Sequence, residues 1–303
     1  MTTTVAVLTQ NILPIFIVAA FGFGLQRWVG LDKRSLSSAV LNVLSPCLVF
    51  SSLVNSELAG EELAALTAFA LVSIFLMGLL GLAVSLLLRL SRAETAALLI
   101  VLMFVNGGNY GLTLNLLRYG NEGLARAVVY YTTSTFVIYT AGMFIASMGE
   151  LTWRQSLRHL LRLPPVYAAV LAVVVYMLRL EMPTPLMRAI DVAGAGAIPV
   201  MLIVLGMQIA DLRGIARWRL AVPAIGLRLV AGPLVGVLIA GLLGLEGLGR
   251  ATSIIESSMP PAVFTIILAT EFNLQPAAVT SIVVLSTLLS PLTVATIITL
   301  FGL

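Results

Sequence analysis

The stretch VNGGNYG, Val105 to Gly111, interrupts an apolar run that covers residues 94–117. Glycine is among the weakest helix formers, and asparagine competes with the helix for backbone hydrogen bonds. Three glycines and two asparagines therefore stand where a regular helix would be expected. The composition around them decides how they are read. Of 303 residues, 60% are hydrophobic and 10% charged, whereas a soluble domain is about 45–50% apolar and about 25% charged. So much apolar surface calls for lipid as the solvent, and the chain is expected to be an all-α polytopic membrane protein. In hydrocarbon, an unwound helix leaves N–H and C=O groups unpaired, which is tolerated only where the backbone is buried in protein or lines a wet cavity. VNGGNYG thus predicts a broken helix beside such a cavity. Gly107, Gly108 and Gly111 permit the irregular backbone, and Asn106 and Asn109 can pair freed backbone groups or a ligand.

A membrane helix needs about 20 largely apolar residues. On that measure the chain divides into ten spans: 8–28, 35–54, 63–88, 94–117, 123–148, 164–180, 186–210, 219–243, 248–270 and 276–301. The loops after odd-numbered spans hold 11 of the 17 Lys and Arg, among them Lys33, Arg34, Arg154, Arg158, Arg162, Arg213 and Arg217. The loops after even-numbered spans hold five, and Arg228 lies inside span 8. The positive-inside bias makes the odd loops cytoplasmic and puts both termini outside. The first ten residues carry no Lys or Arg, so no cleavable signal peptide is expected. One cysteine, Cys47, and one histidine, His159, exclude an intramolecular disulfide, a zinc-finger cluster and an HExxH metal motif. No cofactor and no nucleic-acid partner is expected; the bilayer is the partner composition implies.

The two halves echo each other. LNVLSPCLVFSSL in span 2 matches GAGAIPVMLIVLG in span 7, which aligns Pro46 with Pro199. Nearly the same offset sets VNGGNYG against SSMPPAV in span 9, with Gly107 facing Pro260, and brings Thr132-Thr133 against Ser286-Thr287. Pro260 and Pro261 remove two donors and break span 9 by a second route. Five spans per copy is odd, so the second copy enters from the opposite face. The expected domains are an inverted repeat of residues 8–148, a cytoplasmic linker at 149–163 and a second repeat of residues 164–301. Inverted repeats with one interrupted helix in each copy point to a secondary transporter whose site lies at the two breaks. Half-helix N-termini meeting there favour an anion such as a carboxylate.

Glu256 lies deep in span 9, and Arg228 equally deep in span 8. Intramembrane charges are costly and carry a role by default. For Glu256 three roles stay open: ligating a cation with oxygen donors such as Asn109 and the hydroxyls of Thr132, Thr133 and Ser134; carrying a proton; or pairing with Arg228. Arg228 is either that structural partner or a clamp for a substrate carboxylate. Asn42, one turn before Pro46, is placed at the site; helix-to-helix hydrogen bonding is the bland reading for it and for Gln208. Hydroxyls at helical spacing commonly bond back to their own helix, and Cys47 suits simple packing. Away from their outermost turns the spans hold one Asp, one Glu and no His, too few groups for an intramembrane enzyme. A sensor that binds an anion without moving it is the alternative from another class.

FVNGGNYGLTLNLLRYG and SSMPPAVFTIILATEFNLQPAAVTSIVVLSTLLSPLTV resemble the fourth, ninth and tenth helices of the auxin efflux carrier family. The resemblance covers essentially the whole chain, and the short central connection marks a prokaryotic member. It implies the ten-helix fold shared with the bile acid–sodium symporters, with spans 4 and 9 crossing at their breaks. A support domain would come from spans 1, 2, 6 and 7, and a transport domain from spans 3–5 and 8–10. It also implies an elevator-like carrier of organic anions in the prokaryotic inner membrane. Glu256-Ser-Ser-Met259 resembles a Glu-x-x-Met stretch of the bile acid symporters, where that Glu helps hold sodium; Met259 and Asn109 join the expected ion site on that ground. Pro260 and Pro261 stand where those symporters carry amide residues. The expected function is alternating-access transport of a small organic anion, coupled first to sodium, with proton coupling and uncoupled transport as alternatives. The expected substrate contacts are Asn106, Gly107, Asn109, Pro260 and Pro261, with Asn42, Pro46 and Cys47 opposite. A homodimer is compatible with this reading.

Overall fold

Proline shapes several helices in the same way. Pro14, Pro46 and Pro233 each stand two residues past a wide turn, Leu8–Ile12, Val40–Leu44 and Leu227–Ala231. In the second of these, the Ser45 N–H reaches back five residues to the Val40 carbonyl. A proline ring clashes with the carbonyl four residues earlier and brings no N–H to it. One over-wide turn just upstream absorbs that clash and adds a residue to the turn.

The computed structural model describes residues 3–56, 58, 60–147, 164–210 and 216–303. The expected linker, with its basic residues, lies outside them. The described helices are α1 (Thr4–Val29), α2 (Lys33–Val54), α3 (Gly60–Leu87), α4 (Arg92–Met103), α5 (Gly107–Ala146), α6 (Pro164–Met177), α7 (Thr184–Ile209), α8 (Trp218–Leu242), α9 (Gly247–Ser257), α10 (Phe264–Glu271) and α11 (Pro276–Leu300). Seven of them, α1, α2, α3, α5, α7, α8 and α11, are long and apolar enough to cross a membrane. The chain is an all-helical, polytopic integral membrane protein. Large apolar side chains such as Phe21, Leu79, Leu86 and Leu242 stay exposed along it, as a lipid-facing surface requires.

The apolar stretches 94–117 and 248–270, expected as spans 4 and 9, are each split. The first ends as α4 at Met103 and resumes as α5; the second ends as α9 at Ser257 and resumes as α10. After its first three turns α5 is interrupted again at Gly120, whose φ of 65° is the left-handed conformation that glycine adopts without strain. The Ser91–Glu94 capping box starts α4, and Asp32 caps α2 through the Arg34 and Ser35 N–H groups. The Ser35 hydroxyl, which donates to Asp32 at 2.5 Å, and the Arg34 N–H hold that carboxyl below its ordinary range.

Packing divides the helices. α1 lies along α7, and α2 packs on α6 and α7. The α1–α7 approach is close: a Cβ on Gly22 would strike the Ile203 carbonyl, and one on Gly206 the Ala19 carbonyl. α3 packs on α4, α5, α8 and α9, while α11 packs on α8 and α10. At one end of this second group, Arg126 of α5 grips Glu62 of α3 through two hydrogen bonds, of 2.7 and 3.1 Å, and Glu122 at 2.8 Å.

Candidate functional site

The two breaks meet. Val105 and Pro261 form an antiparallel β-bridge, the Asn106 N–H donates to the Pro260 carbonyl at 2.8 Å, and the Ala262 N–H donates to the Phe104 carbonyl at 2.8 Å. This pairing solves the problem raised by unwinding in hydrocarbon, because each break satisfies backbone groups of the other. Neither Pro260 nor Pro261 carries an N–H, so the first donor after the prolines is Ala262, and the bridge centres on Val105 and Pro261.

Beside the bridge lies a cavity of about 350 Å³. One wall is the broken backbone itself, from Phe104 to Asn109. α2 contributes Ser37, Ser38 and Asn42, the second half of α5 contributes Tyr131, Ser134 and Thr135, α7 contributes Gln208, and the start of α10 contributes Val263 and Phe264. Among the described residues no Lys, Arg or His lines it. Polarity comes instead from amides, hydroxyls and helix termini. In α5 the first intrahelical bonds run from the Tyr110 and Gly111 N–H groups to the Asn106 carbonyl. The N–H groups of Gly107, Gly108 and Asn109 precede them and belong to the unsatisfied first turn of a helix. The Asn106 amide nitrogen and the Gln208 carbonyl oxygen are buried without a protein partner. Gly108 leaves room for the Tyr131 ring, whose nearest carbon would stand 2.8 Å from a Cβ there; the Tyr131 hydroxyl pairs with Ser45 at 3.0 Å.

Several expected site residues stand elsewhere. Pro46 and Cys47 do not face the break. They line a second, apolar cavity with Phe50, Tyr167 and Ile190. The wide turn at Val40–Leu44 stands just before them, and one residue added to a turn shifts the helix face that follows by about 100°. Asn42 lines the main cavity, and its amide bonds back to Ser38 at 2.8 Å rather than across to another helix. Pro260 and Pro261 are buried behind the wall, held in the bridge, and Ala262, Val263 and Phe264 take their place at the cavity. Asp191 accepts from Ser51 at 2.5 Å and ties α7 to α2.

The buried charges have unexpected partners. Arg228 makes no ion pair with Glu256 among the described contacts. It donates to the Leu102 carbonyl at 2.7 Å and to the Ser257 carbonyl. Those carbonyls belong to the last turns of α4 and α9, so one guanidinium caps the C-termini of both helices that stop at the breaks. A helix end leaves four carbonyls unpaired and carries a partial negative charge; a forked guanidinium with five donors can serve two such ends at once. Glu256 is fully buried and lies on the first turn of α5. Its Oε2 stands 2.7 Å from where a Gly107 Cβ would be, and a Cβ on Gly111 would overlap both its oxygens. Only a glycine face admits the carboxyl there.

Asn115, absent from the expected site, donates to Glu256 Oε1 at 3.1 Å and to the Gly111 carbonyl at 3.0 Å. The carbonyl can only accept, which fixes the amide with its hydrogens towards the carboxyl. The sequence shows only that it stands four residues, about one helical turn, after Gly111; its facing of Glu256 comes from the packing of α9 against α5. Asn109 and Ser134 line the cavity, Thr133 bonds back to Val129 at 2.8 Å, and the Thr132 hydroxyl is buried without a partner. Met259 is buried beside the bridge.

A cavity that is mostly apolar, with a few polar groups gathered at paired helix breaks inside a bundle of apolar helices, is what a carrier of a small molecule needs. Residues 7–298 match the family described as membrane transport protein. The chain belongs to this family of auxin-efflux-carrier-type membrane transport proteins. It is 27% identical over 280 residues to an uncharacterized transporter of Methanothermobacter thermautotrophicus, a match that covers 88% of this chain and 89% of the relative. Over 276 residues it is 23% identical to an uncharacterized transporter of Methanocaldococcus jannaschii, covering 87% of this chain and 89% of the relative. The family and these relatives are transporters, not enzymes.

Proposed function

We propose that the chain carries a small organic anion across the membrane by alternating access, binding it in the cavity at the start of α5. The observation that carries this reading is the first turn of α5, which opens on the cavity with free N–H groups and the unpartnered Asn106 amide beside it. Such a terminus holds about half a positive charge and geometrically suits a carboxylate. α10, the other half-helix, also begins at the cavity.

The reading takes the chain as ten spans in two inverted repeats whose broken helices cross at the Val105–Pro261 bridge. The reciprocal hydrogen bonds at that bridge support it, as does the packing of α1, α2, α6 and α7 on one another. These four would form the support domain, and rocking or sliding of the remaining helices past them would expose the cavity to each side in turn. The cavity spans both groups, since α2 and α7 contribute one wall and α5 and α10 the other. Both termini outside and a prokaryotic inner membrane complete the reading.

Sodium coupling, which the bile acid symporter resemblance implies, draws less support from the donor set. Hard cations take several oxygen ligands, whereas the amide of Asn115 turns its hydrogens to Glu256. Uptake of labelled carboxylates by proteoliposomes tests the function. Asn109→Ala is expected to lower the uptake rate at least about tenfold, the equivalent of about 1.4 kcal/mol, with the protein still folded in the membrane. Uptake at the wild-type rate in that variant would remove Asn109 from the site. Ligand-induced stabilisation without any flux would make the protein a sensor.

A further inference from the structure

We infer that an anion occupies the cavity only when Glu256 carries a proton, so that each anion bound draws one proton into the protein. The inference rests on the proposed anion site and adds its coupling. The cavity wall at Gly107 is the same backbone against which Glu256 lies from behind, with Oε2 at 2.7 Å from the position of a Gly107 Cβ. Anion and carboxyl therefore face one helix N-terminus from opposite sides of a single strand of backbone.

The charges around this point leave no room for two negatives. Arg228 is committed to the C-termini of α4 and α9, each worth about half a negative charge, so its own charge is spent locally. The N-termini of α5 and α10 together supply about one positive charge, enough for one anion. Among the described residues no cationic side chain lines the cavity. Ionised Glu256 beside a bound carboxylate would be one uncompensated charge in a medium of low dielectric, where like charges repel strongly. Other groups do not relieve this. On α5, Asn115 offers one neutral donor and Tyr130 a buried hydroxyl within electrostatic reach of both Glu256 and Arg228. On α3 the charge facing α9 is Glu62, beside Gly249 two turns from Glu256 and already paired with Arg126. A proton, delivered from water, neutralises Glu256 without needing further ligands, and Oε2 has no other partner.

The test uses the full-length protein in detergent or liposomes, with acetate and benzoate as probes, both fully ionised above about pH 6 because carboxylic acids titrate near pH 4. Wild-type affinity should fall about tenfold for each pH unit once Glu256 begins to ionise. Glu256→Gln, which mimics the protonated acid, should bind the same probes with an affinity flat in pH. In a weakly buffered solution, adding a saturating probe to the wild type at the upper end of that range should take up about one proton per chain. That measurement needs no variant, so a misfolded Glu256→Gln protein does not block the test. Binding without proton uptake, binding of equal pH dependence in both proteins, or binding that requires sodium would each overturn the inference while leaving the anion site intact. Failure of both proteins to bind either probe at any pH would overturn the anion site and the inference together.

Discussion

Replacing Arg228 with methionine is expected to unfold much of the protein or lower its melting temperature more than any other single change in the spans. The side chain is 2% exposed and holds the Leu102 and Ser257 carbonyls at the ends of α4 and α9. Methionine keeps most of the volume but supplies no donor. Each buried carbonyl left unpaired costs about 1–3 kcal/mol, so the loss should be about 3 kcal/mol or more. Arg228→Lys should recover only part of it, because a compact ammonium lacks the planar fork that reaches two helix ends. The structure also separates this role from a Glu256 ion pair. If Arg228 existed to balance Glu256, the double replacement Arg228→Met with Glu256→Leu would restore stability lost in the single changes. The carbonyl contacts predict no such rescue, and melting curves of the three purified proteins decide between them.

Gly111→Ala should abolish transport and destabilise the protein by about 1–3 kcal/mol, the usual range for an overpacked core position. A Cβ at position 111 would overlap both carboxyl oxygens of Glu256, and the first turn of α5 would have to move away from α9. That movement would also displace the Gly107–Asn109 N–H groups from the cavity. Shortening the acid removes the clash, so Gly111→Ala combined with Glu256→Ala should regain much of the stability that Gly111→Ala loses. Independent, additive losses in the double variant would show that the glycine is needed for some other contact.

The fold was legible wherever backbone chemistry alone decides it. VNGGNYG and Met259-Pro260-Pro261 had to break their helices in any packing, and both do so within a few residues of the expected place. The buried depth of Glu256 and Arg228 was equally legible, because charge in an apolar run is conspicuous. Their partners were not. A side chain's charge says nothing about which backbone carbonyls a helix break will orphan, and Arg228 bonds two of them. The wide turn at Val40–Leu44, just before Pro46 and Cys47, is a local widening that a periodicity of 3.6 residues cannot anticipate. Asn115 and Gln208 looked like ordinary helix polar residues; only the packing of α9 against α5 and of α7 against the break gives them a place. The contact register of the bridge followed from missing proline N–H groups, and became readable only once the two strands were known to run antiparallel.

A disulfide across the bridge tests the central claim, that the two interrupted helices pair to build one site. Val105 and Pro261 form a pair flanked by hydrogen bonds rather than joined by them, the kind in which Cα atoms stand about 4.5 Å apart, within reach of a disulfide. With Cys47 replaced by serine, cysteines at 105 and 261 should join on mild oxidation of membranes, as read by mass spectrometry of the digested protein. Two free thiols that never join, in protein that is otherwise folded and oxidised under the same conditions, would contradict the account.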